Sequence, residues 1–129
     1  MGGKSRTILC VEGEGVPRKE RAAALERAGY TVLLTHDERE ALRVFISQEL
    51  DAVLLELRLG NRKKKSLRAE MSSIRPRVPI IALCPPDSKS SGARFFDYTF
   101  RDGRKGNGAL IAILDQLLAA DDAVEKKRR

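Results

Sequence analysis

The sequence predicts an α/β domain in which a parallel β-sheet is covered by helices on both faces. Short runs that are apolar throughout alternate along the chain with longer amphipathic stretches, a pattern typical of strands buried on both faces. The 129 residues also match the length of one domain with a single core. Because parallel strands need right-handed crossovers, few strand orders remain. We expect a flavodoxin-like (βα)5 doubly wound sheet of order 2-1-3-4-5.

The predicted strands and helices alternate along most of the chain. Strands are expected at residues 8–11, 30–35, 52–55, 78–83 and 95–100. Helices are expected at residues 17–28, after a capping box formed by Asp37 and Glu40, around residues 67–74, and at residues 109–123. Residues 85–97 contain two prolines and little apolar periodicity, so the helix between the fourth and fifth strands is expected to be shortened or missing.

Composition and charge exclude several classes of protein. With 42% hydrophobic and 33% charged residues, and no apolar run near the roughly 20 residues of a membrane span, the chain is neither a membrane protein nor disordered. Cys10 and Cys84 stand far apart in apolar runs, which favours buried thiols in a reducing cytoplasm over a disulfide framework. We divide the chain into a flexible leader (residues 1–6), one domain (7–123) and a basic tail (124–129).

Side chains that can carry chemistry stand at the ends of four of the predicted strands. Glu12 and Glu14 follow the first strand, Glu56 ends the third, Cys84 ends the fourth and Arg101 ends the fifth. In an open parallel sheet the functional crevice lies beyond the carboxyl ends of the strands, where the strand order switches. The sequence therefore predicts an acidic pocket at the switch point between the first and third strands.

The order and spacing of these segments resemble the receiver domain of response regulators, the CheY-like phosphoacceptor module of two-component signalling. The segments that carry the resemblance are residues 8–14, 25–32, 40–42, 53–59, 74–76 and 78–83, together with Asp97, Tyr98 and Arg101. The resemblance covers residues 7–118. It implies a phosphorelay role, a site where Mg²⁺ is bound beside a phosphorylated aspartate, and a protein partner such as a histidine kinase or an effector domain, for a domain that is not an enzyme.

Nearly every position that carries chemistry departs from the receiver pattern. Glu12-Gly13 stands in place of the family's acidic pair, and Glu56 stands in place of the phosphoacceptor aspartate. Cys84 replaces the Ser or Thr of the fourth strand, and Arg101 replaces the lysine of the fifth. Tyr98 alone conforms to the family pattern, at the aromatic switch position. A glutamate carries its carboxylate about 1.5 Å further out, and a misplacement of about 1 Å can cost on the order of 10²-fold in rate. We therefore expect a degenerate receiver without normal aspartyl phosphorylation. It should need no cofactor and bind Mg²⁺ weakly at best, through Glu12 and Glu56.

The sequence leaves several alternatives open. Glu56 pairs with Arg101, or both are solvated residues at strand ends. A basic loop follows the third strand and includes Arg62, Lys63, Lys64 and Lys65. It supplies positive charge above the acidic pocket, or it is simply a solvated face, which is the more common situation. A receiver that still accepts phosphate on Glu56 remains an alternative. So does a nucleic-acid-associated regulator that uses the basic loop and tail, which the net charge of +7 permits. Homodimerisation is equally open.

Overall fold

The computed structural model contains a parallel sheet of five strands. The structure describes residues 6–12, 18–56, 61–84, 98–101 and 107–128, with the backbone alone for residues 18–19, 61–66, 84, 99, 101 and 120–128. The strands are β1 (Arg6–Val11), β2 (Tyr30–Thr35), β3 (Ala52–Glu56), β4 (Ile80–Cys84) and β5 (Tyr98–Arg101). Their order in the sheet is β2-β1-β3-β4-β5, which confirms the predicted fold class and topology.

Helices cover both faces of the sheet. The described helices are α1 (Arg18–Arg27), α2 (Glu38–Ser47), α3 (Asn61–Ile74) and α4 (Gly108–Arg128). Leu9 and Val11 of β1 join the core cluster formed with α2 and α3, whereas Ile8 and Cys10 join the cluster formed with α1 and α4. Since side chains alternate across a strand, a run that is apolar throughout fills both clusters at once. None of the helices in these described ranges is long and apolar enough to cross a lipid bilayer.

The register of the central strands brings two glutamates to one place. Val11, the last residue of β1, lies opposite Thr35 of β2 on one side and Leu55 of β3 on the other. Glu12 and Glu56 each follow these paired residues by one position, so both reach the carboxyl edge of the sheet. This edge is where the crossovers change direction, with β2 on one side of β1 and β3 on the other.

Local sequence signals explain the two ends of β2. Gly29 follows α1 with a φ of +101°, a backbone conformation that residues with a Cβ adopt at a cost, and it turns the chain into β2. Beyond the strand, Oδ1 of Asp37 accepts a hydrogen bond from the backbone N–H of Glu40 at 2.8 Å. This bond satisfies a donor that has no partner inside the helix, and it confirms Asp37 as the N-cap of α2.

Arg75, which directly follows α3, ties that helix to the end of α2. Its Nη1 donates to the carbonyl oxygens of Phe45 and Gln48 at 2.8 and 2.7 Å, and its Nη2 donates to the carbonyl of Ile46 at 3.2 Å. The guanidinium also lies 5.5 Å from the centroid of the Phe45 ring. The last carbonyls of a helix have no partner within it, so Arg75 satisfies groups that would otherwise need water.

The start of α3 and the end of α4 differ most from the prediction. α3 begins at Asn61, so the four residues that we expected to form a basic loop have helical backbone, and the expectation of a loop there is wrong. α4 continues from its expected end at residue 123 to Arg128, so this part of the expected loose tail is also helical. The limits of leader, domain and tail stay predictions. The predicted loss of the helix between β4 and β5 concerns residues 85–97, which lie outside the described residues.

Candidate functional site

Two buried glutamates lie next to each other at the carboxyl edge of the sheet. Glu12 is fully buried, and Glu56 is 5% exposed. The backbone N–H of Glu12 donates to the carbonyl oxygen of Thr35 at 3.1 Å, which extends the pairing of β1 with β2 by one residue and fixes the direction of the glutamate. Two acidic side chains so close together in the protein interior need positive charge nearby, because burial penalises each carboxylate and the two repel each other.

A buried arginine from α1 supplies that charge. Nη1 of Arg21 donates to Oε1 of Glu12 at 3.1 Å and lies 3.8 Å from Oε2 of Glu56. Arg21 is itself only 5% exposed, so water and salt screen these contacts little. We call Glu12, Arg21 and Glu56 the edge cluster. A guanidinium stays protonated at any ordinary pH, so the edge cluster contains a permanent positive charge.

Sequence reasoning missed Arg21, although one signal for it exists. The helix prediction relied on Ala22, Leu25 and Ala28, but of these only Leu25 is buried, Ala22 is half-buried and Ala28 is exposed. Arg21 precedes Leu25 by four residues, and residues four apart lie on one face of a helix. A basic residue on the inward face of the helix that follows β1 is therefore a sign of a buried acidic partner at the end of that strand.

Cys10 lies two residues before Glu12, on the same side of β1, and its thiol is inert. Cys10 is fully buried and forms no disulfide bond. Burial, and to a lesser extent the Glu12 carboxylate, raise the pKa of Cys10 from 9.0 to about 12, against a lowering effect of Arg21. Only a thiolate is a strong nucleophile or metal ligand, so Cys10 contributes packing to this edge rather than reactivity. The expected buried thiol at this position is confirmed.

The other predicted site residues are placed only in part. Tyr98 begins β5, is 40% exposed and lines a small cavity of about 130 Å³ together with Arg68 and Leu117. Cys84 and Arg101 lie opposite each other in the pairing of β4 with β5, but their side chains are outside the described residues, as is the whole of Glu14. The predicted contact between Glu56 and Arg101 therefore stays a prediction.

The basic residues at the start of α3 are placed by their backbone alone. Arg62, Lys63, Lys64 and Lys65 follow the helix start at Asn61, and their side chains lie outside the described residues. The two roles predicted for them, positive charge above the acidic edge and contact with a nucleic acid, both depend on these side chains. Both roles stay predictions.

The edge cluster does not fit a divalent metal ion. Mg²⁺ prefers several oxygen ligands at about 2.0–2.1 Å in octahedral geometry. Within the described ranges no group of three or more His, Cys, Asp and Glu side chains could hold a metal ion. One nitrogen of Arg21 contacts an oxygen of Glu12 and lies within 4.0 Å of an oxygen of Glu56, so the space between the two carboxylates already contains a cation.

Comparison with solved structures identifies the fold. The receiver domain of a sensor histidine kinase from Pseudomonas aeruginosa, solved with a magnesium ion in its active-site cleft, is 27% identical, with a TM-score of 0.72 over 90% of this chain and 99% of that one. Response regulator TrrA from Thermotoga maritima, solved with Mg²⁺ and a beryllofluoride, is 20% identical, with a TM-score of 0.74 over 87% of this chain and 98% of that one. The chain has the receiver-domain fold. This confirms the resemblance stated from the sequence.

A third structure with the receiver fold has a different function. It represents a family of streptococcal redox sensors that evolved from two-component response regulators, and it is 19% identical with a TM-score of 0.79 over 95% of this chain and 55% of that one. No protein-family model matches the sequence, and no curated protein does either. The receiver fold is thus shared with proteins that bind Mg²⁺ and with one family that senses redox state.

Proposed function

We propose that this chain is a degenerate receiver of a two-component system, a cytoplasmic protein-interaction module that does not form the usual aspartyl phosphate and is not an enzyme. The observation that supports the proposal is the edge cluster. The carboxylate at the phosphoacceptor position, Glu56, is buried, and the guanidinium of Arg21 lies beside it and bonds the neighbouring Glu12. A receiver with this arrangement already holds a positive charge beside the two carboxylates, where another receiver would bind a metal ion.

Phosphoryl transfer places demands on a carboxylate that Glu56 meets poorly. The attacking oxygen must approach the phosphorus in line with the leaving oxygen, and charge that develops on the phosphoryl group must be neutralised. Glu56 is only 5% exposed and lies within 3.8 Å of Arg21, so its carboxylate is covered and electrostatically engaged. Attack on phosphorus would require the Glu56 side chain to leave this buried position. The buried Arg21 guanidinium would then lose its contact with Glu56, which costs free energy.

A protein partner is the interaction that the receiver fold supports. The regulator TrrA, which shares this fold, has been solved in complex with a histidine kinase. The streptococcal redox sensors show that descendants of response regulators can take up other sensing roles. We therefore propose a histidine kinase or an effector domain as the partner of this chain. A second copy of the chain is a further candidate.

Treatment with a small phosphodonor tests the proposal. The wild-type chain, incubated with acetyl phosphate and Mg²⁺ and analysed by intact-mass spectrometry, should show no adduct of about 80 Da. Glu56→Asp is compared with wild type because it restores the usual residue at this position, and Glu56→Gln is the negative control. A stable adduct on the wild-type chain that disappears in Glu56→Gln would show that Glu56 is a working phosphoacceptor and would overturn the proposal.

A further inference from the structure

The described contacts of the edge cluster show one cation serving two carboxylates. The oxygens Oε1 of Glu12 and Oε2 of Glu56 lie 3.1 and 3.8 Å from the same nitrogen, Nη1 of Arg21. All three side chains are at most 6% exposed, so the interaction takes place away from bulk water. Charges that close interact far more strongly in the protein interior than in solvent. A second cation placed between the same oxygens would be repelled by the guanidinium at short range.

We propose that Arg21 is the resident cation of this receiver fold and takes the place of a divalent metal ion at the Glu12 and Glu56 carboxylates. This inference deepens the proposed function and concerns the same carboxylates. Arg21 is covalently part of α1 and keeps its proton at any ordinary pH, so its charge cannot be removed by chelators or by a change in metal concentration. Arg21 therefore keeps a permanent positive charge beside the two carboxylates, and removal of the guanidinium opens them to a divalent ion.

Burial distinguishes Arg21 from another arginine of the same helix. Arg21 is buried on the inward face of α1, whereas Arg27, on the same helix, is exposed. The two arginines share residue type, helix and charge, and they differ in whether they contact the edge cluster. Arg27 is therefore the matched control for any substitution of Arg21. Arg21 acts through the two glutamates and is a positioning residue.

Binding of Mn²⁺, followed by electron paramagnetic resonance, tests the inference in the folded full chain. Wild type and Arg27→Gln should both bind Mn²⁺ weakly, whereas Arg21→Gln should bind it at least about tenfold more tightly, with Mg²⁺ competing. The gain should be lost in the double variant Arg21→Gln/Glu56→Gln. Wild-type affinity equal to that of Arg21→Gln would overturn the inference, and so would a gain that survives removal of Glu56.

The test remains decisive if Arg21→Gln fails to fold. Its two buried carboxylates would then lack the Arg21 guanidinium, and millimolar Mg²⁺ should restore its helical circular dichroism, because the ion supplies positive charge in place of Arg21. A variant that stays unfolded in Mg²⁺ would overturn the inference. Tight Mn²⁺ binding by wild type through Glu56, without a phosphoryl adduct, would defeat this inference and leave the proposed function standing. An adduct on Glu56 would defeat the proposed function whatever the Mn²⁺ result.

Discussion

The guanidinium of Arg21 contacts two buried carboxylates, so we expect substitution of Arg21 to lower the stability of the fold substantially. Breaking a buried ion pair by removing one partner typically costs about 3–5 kcal/mol, because the remaining charge stays buried. We expect Arg21→Gln to lower the free energy of unfolding by about that amount in urea denaturation, and Arg27→Gln to change it by less than about 0.5 kcal/mol. Adding Glu56→Gln to Arg21→Gln should recover part of the loss. Equal effects of the two arginine substitutions would contradict this account.

The sequence predicts the acidic residues of the site but not the residue that pairs with them. Glu12 and Glu56 follow from one rule, that functional groups gather where the central parallel strands end. Arg21 could not be inferred in the same way, because α1 has a weak apolar pattern and its alanines gave no clear inward face. The predicted partner of Glu56 was Arg101, whose side chain lies outside the described residues. Which of several cations reaches a buried carboxylate depends on helix rotation, which only the packed structure fixes.

The connection between α2 and α3 depends on Arg75, whose three hydrogen bonds end on carbonyls at the C-terminus of α2. Arg75→Ala removes these bonds and the contact with the Phe45 ring, and we expect a loss of about 1–3 kcal/mol in the free energy of unfolding. Arg77→Ala, two residues on at an exposed position, is the control and should cost less than about 0.5 kcal/mol. Arg75→Lys should recover little, since an ammonium lacks the planar fork that reaches several carbonyls.

The start of α3 shows why helix boundaries are harder to predict than helices. Four basic residues near a helix N-terminus oppose the helix dipole, so the sequence favours a loop at residues 62–65. The backbone is nevertheless helical from Asn61. Further along the helix, Leu67 and Met71 are buried in the core cluster against the sheet, and this anchoring favours the helix over its whole length. Packing energy gained in the middle of an element can thus override unfavourable charge at its end.

At the scale of the whole molecule, the fold could be predicted because strands that are apolar throughout place side chains in two core clusters at once. Each central strand is apolar at successive positions, and the structure divides these positions between the cluster on the α2 and α3 face and the cluster on the α1 and α4 face. A sheet with helices on both faces is the arrangement that buries such strands, and right-handed crossovers then leave few strand orders. Residues 85–97 gave a weaker signal, and their expected lack of a helix stays a prediction.

Two residues of the core cluster on the α1 and α4 face, Cys10 and Tyr30, predict how stability depends on alkaline pH. Burial raises the pKa of Cys10 to about 12, and burial together with the hydrogen bond that the Tyr30 hydroxyl donates to Asp115 raises the pKa of Tyr30 as well. Above about pH 9 the unfolded chain therefore loses a cysteine proton that the folded chain keeps. Because the unfolded state then binds fewer protons, the free energy of unfolding falls as the pH rises, by at most about 1.4 kcal/mol per pH unit for each such group.

Urea denaturation of wild type and Cys10→Ala between pH 8 and about pH 11 measures this contribution. Both chains lose stability through the groups that they share, including Tyr30, but the wild-type curve should be the steeper one above pH 9, since only wild type carries the Cys10 thiol. Tyr30→Phe should flatten the curve in the same way at somewhat higher pH, because a phenol in the unfolded chain ionises near 10.0. Parallel curves for wild type and Cys10→Ala would mean that the Cys10 thiol ionises as readily in the folded chain as in the unfolded one. The tight burial of β1 between the two helical layers would then be wrong.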